Sequence, residues 1–482
     1  MTKEEELQGL REENRMLKGL VAELLPLKEQ LAQANARIKE REDRLAKDSR
    51  TSSKPPSSDG LARLPRSSRP PSGKSPGGQA GHAGYTLSMV EQPDDVVRHR
   101  PAVCRQCHAD LSAVPGSIVE RRQVLDVPEI RLLAHEHQFE AIGCPTCHST
   151  SLGSFPASVS APVQYGSNVQ ALAVYLHQGQ LLPTARPCEV LAALCGCHLS
   201  EGTLVQWSEL AAERLAPTVE RIAELSVASG VQHGDETGIR VYGMLHWLPV
   251  NCTRFLTHLT WHAARGREAM DEIGIWPRFA GRGMHDRLAS YDGYECAHSL
   301  CGAHLLRDCA AVAEQEHQQW AGEMRDFLLD LQDAGQEWRL LHIPAVPAIE
   351  GDDWVARYFE ILAPGYAAQP PPLASPPGKR KGRPKQSQAK NLLDALLERA
   401  DQVLALLDDL RIPFTHNQAE RDLRWAKVQQ KISGTLRSAT GVTAFCRIRS
   451  YLSTMHKQGH PMLSALTAVF HGQPLPVAWG PE

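Results

Sequence analysis

Leucine or isoleucine recurs every seven residues at Leu10, Leu17, Leu24, Leu31, Ile38 and Leu45. Such spacing makes a continuous apolar seam in one conformation, a long α-helix supercoiled against a partner. With these residues at heptad position d, position a holds Leu7, Asn14, Val21, Lys28, Asn35 and Glu42, so one seam is apolar and the other mixed. Residues 1–50 are therefore expected to form a coiled coil that pairs copies of the chain, with its polar positions specifying register. A long helix packed on its own protein is the alternative. Pro26 removes a backbone donor in mid-helix and is expected to kink or divide it.

Residues 51–84 are rich in Ser, Pro and Gly and carry Lys54, Arg63, Arg66, Arg69 and Lys74. A segment with so little apolar surface cannot offset its ordering entropy and reads as a flexible basic linker. The next segment, 85–160, holds Cys104-Arg-Gln-Cys107 and Cys144-Pro-Thr-Cys147. Two Cys-x-x-Cys pairs supply four thiolates, the set for a closed tetrahedral Zn²⁺ site, with His108 and His148 as poorer ligands. In a reducing compartment a disulfide is the weaker explanation. From 161 to 224 the pattern is helical. A break surrounds Leu181–Pro187, a turn falls at Gly196, and Ser200 stands as an N-cap. Helix, turn, helix is the outline of a DNA-reading helix-turn-helix, although bundled helices of no such function give the same pattern.

After residue 225 the period changes to that of strands. SVASGVQHGDETGIRVYGMLHWLPVNCTRFLTHLTW contains three runs broken by Gly or polar turns, read as antiparallel strands, the first closing at Asp235 with Glu236 beside it. A helix at RGREAMDEIGI precedes a strand ending at Asp286, and Asp292 follows in a loop or helix turn. A further strand leads into a helix with Cys301 and His304 at Cys-x-x-His spacing, a weak zinc signal without a partner pair and better read as support for the acids. The expected order is β-β-β-α-β-α-β, then a helical insertion at about 310–405 with a Pro-rich interruption, then an acidic helix. In that helix Glu420 is followed by Arg424, Lys427 and Lys431 at offsets that share one face. Asp235, Asp286 and Glu420 on one sheet edge would suit two Mg²⁺ or Mn²⁺ ions, and the cations would suit phosphates. A solvated face with one ion pair is the plainer reading of the helix.

A net charge of −3 gives no global sign of a polyanionic partner, so the signal must be local. Between Gln418 and Lys457 eight Lys or Arg face two acids, Glu420 and Asp422. Arg383, between Gly and Pro in GRPK, is a second candidate for DNA, in the manner of arginines that enter a narrow minor groove. No apolar run approaches the roughly 20 residues of a membrane span, and the acidic N-terminus is unlike a signal peptide, so a cytoplasmic protein is expected.

SSKPPSSD at 52–59, GGQAGHAG at 77–84, the two Cys pairs, GDETG at 234–238, HSLCGAHLLRD at 298–308, GRPK at 382–385 and NQAERDLRWAKVQQKISGTLRS at 417–438 stand in a distinctive order. Together they resemble the insertion-sequence-66 family of bacterial transposases along nearly the whole chain. The resemblance implies a multidomain α+β protein with an RNase-H-like core of the Asp-Asp-Glu type over 225–455 and a tail at 456–482. By motif the three acids fall on Asp235, Asp286 and Glu420. Where the family often has Asp-Gly after the second acid's strand, this chain has Asp286-Arg287, and Asp-Gly occurs at 292–293, which keeps Asp292 open as the second acid. The implied activity is metal-dependent cleavage of terminal inverted repeats and joining to target DNA. Arg421, Arg424, Lys427, Lys431 and Arg437 would hold phosphates, and accessory proteins of the same element are possible partners. A metal-dependent nuclease and a non-catalytic DNA-binding derivative are the competing classes.

Overall fold

The computed structural model describes residues 3–46, 86–369 and 386–479. The linker motifs SSKPPSSD and GGQAGHAG, and GRPK with Arg383, lie outside the described residues. The chain divides into two compact units, one of residues 69–158 and 190–198, the other comprising the remainder.

The heptad segment is one helix, α1 (Lys3–Ala46), which passes through Pro26 without being divided. Leu17, Leu24, Leu31 and Ile38 are each more than half exposed on it.

In the smaller unit, β1 (Ala141–Gly143) and β2 (Thr150–Leu152) form an antiparallel hairpin around the second Cys pair. The two Cys-x-x-Cys turns are built alike. The Cys104 and Cys144 amides donate to the carbonyls of Ala109 and Ser149, and the His108 and His148 amides donate back to Cys104 and Cys144. Both histidines take a left-handed backbone, φ 58° and 56°.

In the larger unit α2 (Ser167–Val174) runs into a π-helical turn at Tyr175–Gly179. A break with Leu181 at φ 60° precedes α3 (Ala185–Cys195), which ends before left-handed Gly196. The Ser200 hydroxyl accepts the Thr203 amide at 3.1 Å and caps α4 (Glu201–Val227). Leu204, Ala211, Leu215, Val219, Ile222 and Leu225 form a buried stripe along all of α4, the i, i+3, i+4 pattern of a helix that packs over its whole length.

The central sheet has the order β5-β4-β3-β6-β7. Its strands are β3 (Val231–Val241), β4 (Met244–Cys252), β5 (Thr257–Leu259), β6 (Arg282–His285) and β7 (Ala297–Leu300). The first three are antiparallel, whereas β6 pairs parallel with β3 and β7 parallel with β6. The short α5 (Arg267–Ile273) connects β5 towards β6. Between β6 and β7 stands a single 3-10 turn, Tyr291–Gly293, the loop or helix turn expected around Asp292 and shorter than the second α of the expected order.

After α6 (Gly302–Gln315), the insertion folds as α7 (Gln319–Leu340), α8 (Ala348–Ala367), α9 (Gln388–Glu398) and two short helices, α10 (Ala400–Val403) and α11 (Ala405–Asp408). Trp320, Phe327, Leu331, Trp338, Tyr358, Leu362, Leu392 and Leu396 give it its own apolar core, shared with β7 and α6 through Leu300 and Leu305.

The chain then returns to the sheet as α12 (Asn417–Ser433) and α13 (Ala439–Lys457). Ala419, Leu423, Ala426, Val442 and Phe445 pack on Ile239, Leu248, Val250 and Leu259. The expected C-terminal tail contains an ordered helix, α14 (Met462–Phe470), whose last carbonyls accept the Arg214 guanidinium at 2.9 and 3.1 Å. A mixed α+β fold with fourteen α-helices and a five-stranded sheet results among the described residues.

Candidate active site

The antiparallel hairpin carries β3 well past Asp235, so this acid lies inside the strand rather than at its end. Its neighbour β6 stops sooner. The parallel register pairs Val231 with Arg282 and His233 with Met284, and continuing it sets Asp286, one residue beyond β6, beside Asp235. Continued this way, the register brings the two carboxylates to one corner where an inner strand runs out, near enough for the Asp286 charge to act on Asp235.

The floor of this corner is aromatic. Tyr291 stacks on His285, with centroids 4.4 Å apart, and meets Trp276 edge-on at 4.8 Å. Gly234 lies so close above them that a Cβ there would stand 2.5 Å from Trp276 and 2.8 Å from the Tyr291 hydroxyl, so the first glycine of GDETG is a close-approach residue.

Glu420 arrives from α12. Asp235 Oδ2 and Glu420 Oε1 lie 4.0 and 3.8 Å from the same atom, Nε2 of the fully buried His416, which shows the first and third acids converging. The Arg307 guanidinium on α6 donates to Glu420 at 3.0 Å. Glu236 is paired with Arg265, whose guanidinium sits 4.5 Å over the Trp247 ring. Asp286 accepts the Leu288 amide at 2.9 Å, which fixes its carboxylate. Asp292 is placed differently: it accepts from Arg399 at 2.6 Å. Arg287, the departure from the family pattern, pairs with Asp308 of α6.

The acids titrate apart. Burial raises the Asp235 pKa to about 6, with the Asp286 charge adding to the rise and His416 opposing it. Glu420 is held down at about 2, by His416 first and by Arg307. Burial also raises Glu236, against the pull of Arg265. His416 itself is held well above the usual imidazole range: burial disfavours its charge, but Cys301, Glu420 and Asp235 outweigh that. Burial likewise disfavours the Cys301 thiolate, which His416 and His304 nevertheless hold far below the ordinary thiol range.

The basic stripe is partly solvent-facing and partly internal. Arg421, Arg424, Lys431 and Arg437 are exposed. Lys427 is half-buried, donating to the Gly238 carbonyl at 3.1 Å, and burial lowers its pKa. Two other cations of this region are structural. Arg449 is 2% exposed, lies 4.3 Å over the Trp425 ring and donates to the Gly179 carbonyl. Lys457 Nζ donates to Asp422 at 2.8 Å and to the carbonyls of Thr253 and Leu256 at 3.0 and 2.7 Å. The sequence excess of positive charge therefore overstates what is available to a ligand.

The family model described as Transposase IS66 family matches residues 162–444, more than half of the chain and all of this site. The chain belongs to the IS66 transposase family. Residues 3–88, which include α1, match a family of unknown function (DUF6444). The comparison with curated proteins gave no match.

His416 and Arg307 were not singled out from the sequence. His416 precedes Glu420 by four residues, the helical spacing that could have marked it. Arg307 is remote in the chain and becomes relevant only when the fold brings its guanidinium to Glu420.

Among the described residues, the group of side chains close enough to share a metal is Cys301, His304 and His416. The four thiols of the smaller unit are not gathered into such a group. Also among the described residues, no helix is long and apolar enough to cross a membrane.

Proposed function

We propose that this transposase is an Asp-Asp-Glu enzyme that binds the terminal inverted repeats of its element, cleaves DNA strands and joins the ends to target DNA. The observation that carries the reading is the meeting of Asp235 and Glu420 on one buried imidazole, with Asp286 beside Asp235 by strand register. Strand order and direction, with β3 central, fit the RNase-H-like core expected from the resemblance, and the inserted helices separate the second acid from the third.

Carboxylate oxygens suit hard cations, and Asp235, Asp286 and Glu420, which are not gathered within one ion's reach and have His416 between the first and third, would hold Mg²⁺ or Mn²⁺ once drawn together. Such ions, when bound, supply charge neutralisation and an activated hydroxyl for in-line phosphoryl displacement. The chain's own groups do the positioning. Arg307 fixes the Glu420 carboxylate, the Leu288 amide fixes Asp286, and burial against Tyr291 and Trp276 keeps water away from the base of the corner. Arg421, Arg424, Lys431 and Arg437 hold phosphates, with Lys427 steadying α12 against β3. Asp292, spent on Arg399, is left out of the centre.

Two finer assignments belong to the same proposal. Cys104, Cys107, Cys144 and Cys147 hold a structural Zn²⁺, supported by the matching hydrogen-bonded turns that present each pair. The exposed heptad residues of α1 pair two protomers, as bringing two element ends together requires. The test is incubation of the full chain with Mg²⁺ and duplex DNA carrying the element's ends. Free 3′-hydroxyls and joined products support the proposal. Cleavage that yields only hydrolysed ends would favour a nuclease, and binding without cleavage would refute catalysis.

A further inference from the structure

Cys301 caps the start of α6, His304 lies one turn into that helix, and His416 immediately precedes α12. The first and last are 1% and 0% exposed. One candidate ligand atom from each lies within 4.8 Å of the others. The Nδ1 atoms of His304 and His416 and the Nε2 of His416 are buried without a hydrogen-bond partner. Buried polar atoms in a native interior are normally satisfied, and an orphan left there destabilises the fold. Here one ring nitrogen of each histidine stands near the thiol, while Nε2 of His416 lies against Asp235 and Glu420. A tetrahedral metal with bonds of about 2.0–2.3 Å would need these atoms drawn closer by only roughly 1 Å, within reach of side-chain rotation.

We propose that Cys301, His304 and His416 form a second metal site, for a borderline-soft divalent cation of the zinc class. Thiolate and imidazole exclude Mg²⁺ as the preferred occupant and select zinc-like ions. Three protein ligands leave one coordination position for water or a neighbouring carboxylate. The ion ties the β7–α6 junction to the first turn of the helix that carries Glu420 and satisfies one nitrogen of each imidazole. Cys301, His304 and His416 are thereby positioning residues for Glu420. The Cys-x-x-His pair looked incomplete in the sequence because its third member is more than a hundred residues away. The metal site stands whether or not the carboxylates cut DNA.

The test uses the untagged full chain carrying Cys104→Ser and Cys147→Ser, which disables the other thiol set. After saturation with zinc and dialysis, metal content is measured and X-ray absorption at the zinc edge reads the ligands. The expected result is about one zinc per chain in a shell of one sulfur and light-atom neighbours that include two imidazoles. Adding His304→Ala should reduce the content to about none, and Co²⁺ loading should give a tetrahedral thiolate spectrum that Cys301→Ser abolishes. The absorption spectrum does not require the ligand variants to fold. A chain without stoichiometric zinc, or a zinc shell lacking sulfur, overturns the proposal.

Discussion

Asp235→Asn should stabilise the protein when Mg²⁺ is absent. Asp235 has its pKa raised from 3.8 to about 6 by burial, with the neighbouring Asp286 charge contributing. At 1.36 kcal/mol per pH unit, that rise corresponds to about 3 kcal/mol of folding free energy forgone once the group is ionised in both states. The sign follows from linkage. A folded pKa above the unfolded one favours the native state below pH 3.8, and that advantage is lost as pH rises through about 6. At pH 7.5 the wild type bears the full cost, and an uncharged amide removes most of it. Urea unfolding of both proteins in Mg²⁺-free buffer, from pH 4 to 8, checks this. The variant should gain up to about 3 kcal/mol at pH 7.5, and the gain should shrink through pH 6 and vanish near pH 4. Added Mg²⁺ should then stabilise the wild type and not the variant, because the cation neutralises the same charge. A variant of equal or lower stability at pH 7.5, or a gain independent of pH, would show that the buried Asp235 charge carries no such cost.

Three further outcomes are expected. Lys457→Met leaves Asp422 buried with an uncompensated charge and should cost about 3–5 kcal/mol in urea unfolding, largely restored by adding Asp422→Leu. DNA affinity measured at temperatures where Lys457→Met is folded should be unchanged. Replacing Arg424 and Lys431 together with Ala should weaken binding to all DNA sequences alike and lower the slope of log affinity against log salt by about 2. Arg307→Ala should reduce strand cleavage about 10–100-fold while leaving DNA binding intact, since its partner is Glu420 rather than phosphate.

Much of this site was legible because the chemistry sits in local motifs. GDETG and NQAER each carry an acid on an element whose period could be read directly, and Ser200 caps its helix as its side chain suggests. The position of Asp235 within β3 was missed because strand length is set by pairing. The β4 partner extends the strand beyond the acid, while β6 pairs only with its first residues. Asp286 and Asp292 could not be separated by motif, yet a register continued by two residues and an ion pair to Arg399 separate their surroundings. The split of the basic residues into exposed and internal ones was equally hidden. Lys457 and Arg449 differ from Arg424 only in what packs over them.

The catalytic claim rests on which acids surround the reacting phosphate. The most direct measurement is Mg²⁺-dependent cleavage of element-end DNA by Asp235→Asn, Asp286→Asn, Asp292→Asn and Glu420→Gln, each first shown to bind that DNA as wild type does. Loss of cleavage in the first, second and fourth, with Asp292→Asn retaining it, is the predicted result. Full activity in Asp286→Asn together with none in Asp292→Asn would contradict the centre described here.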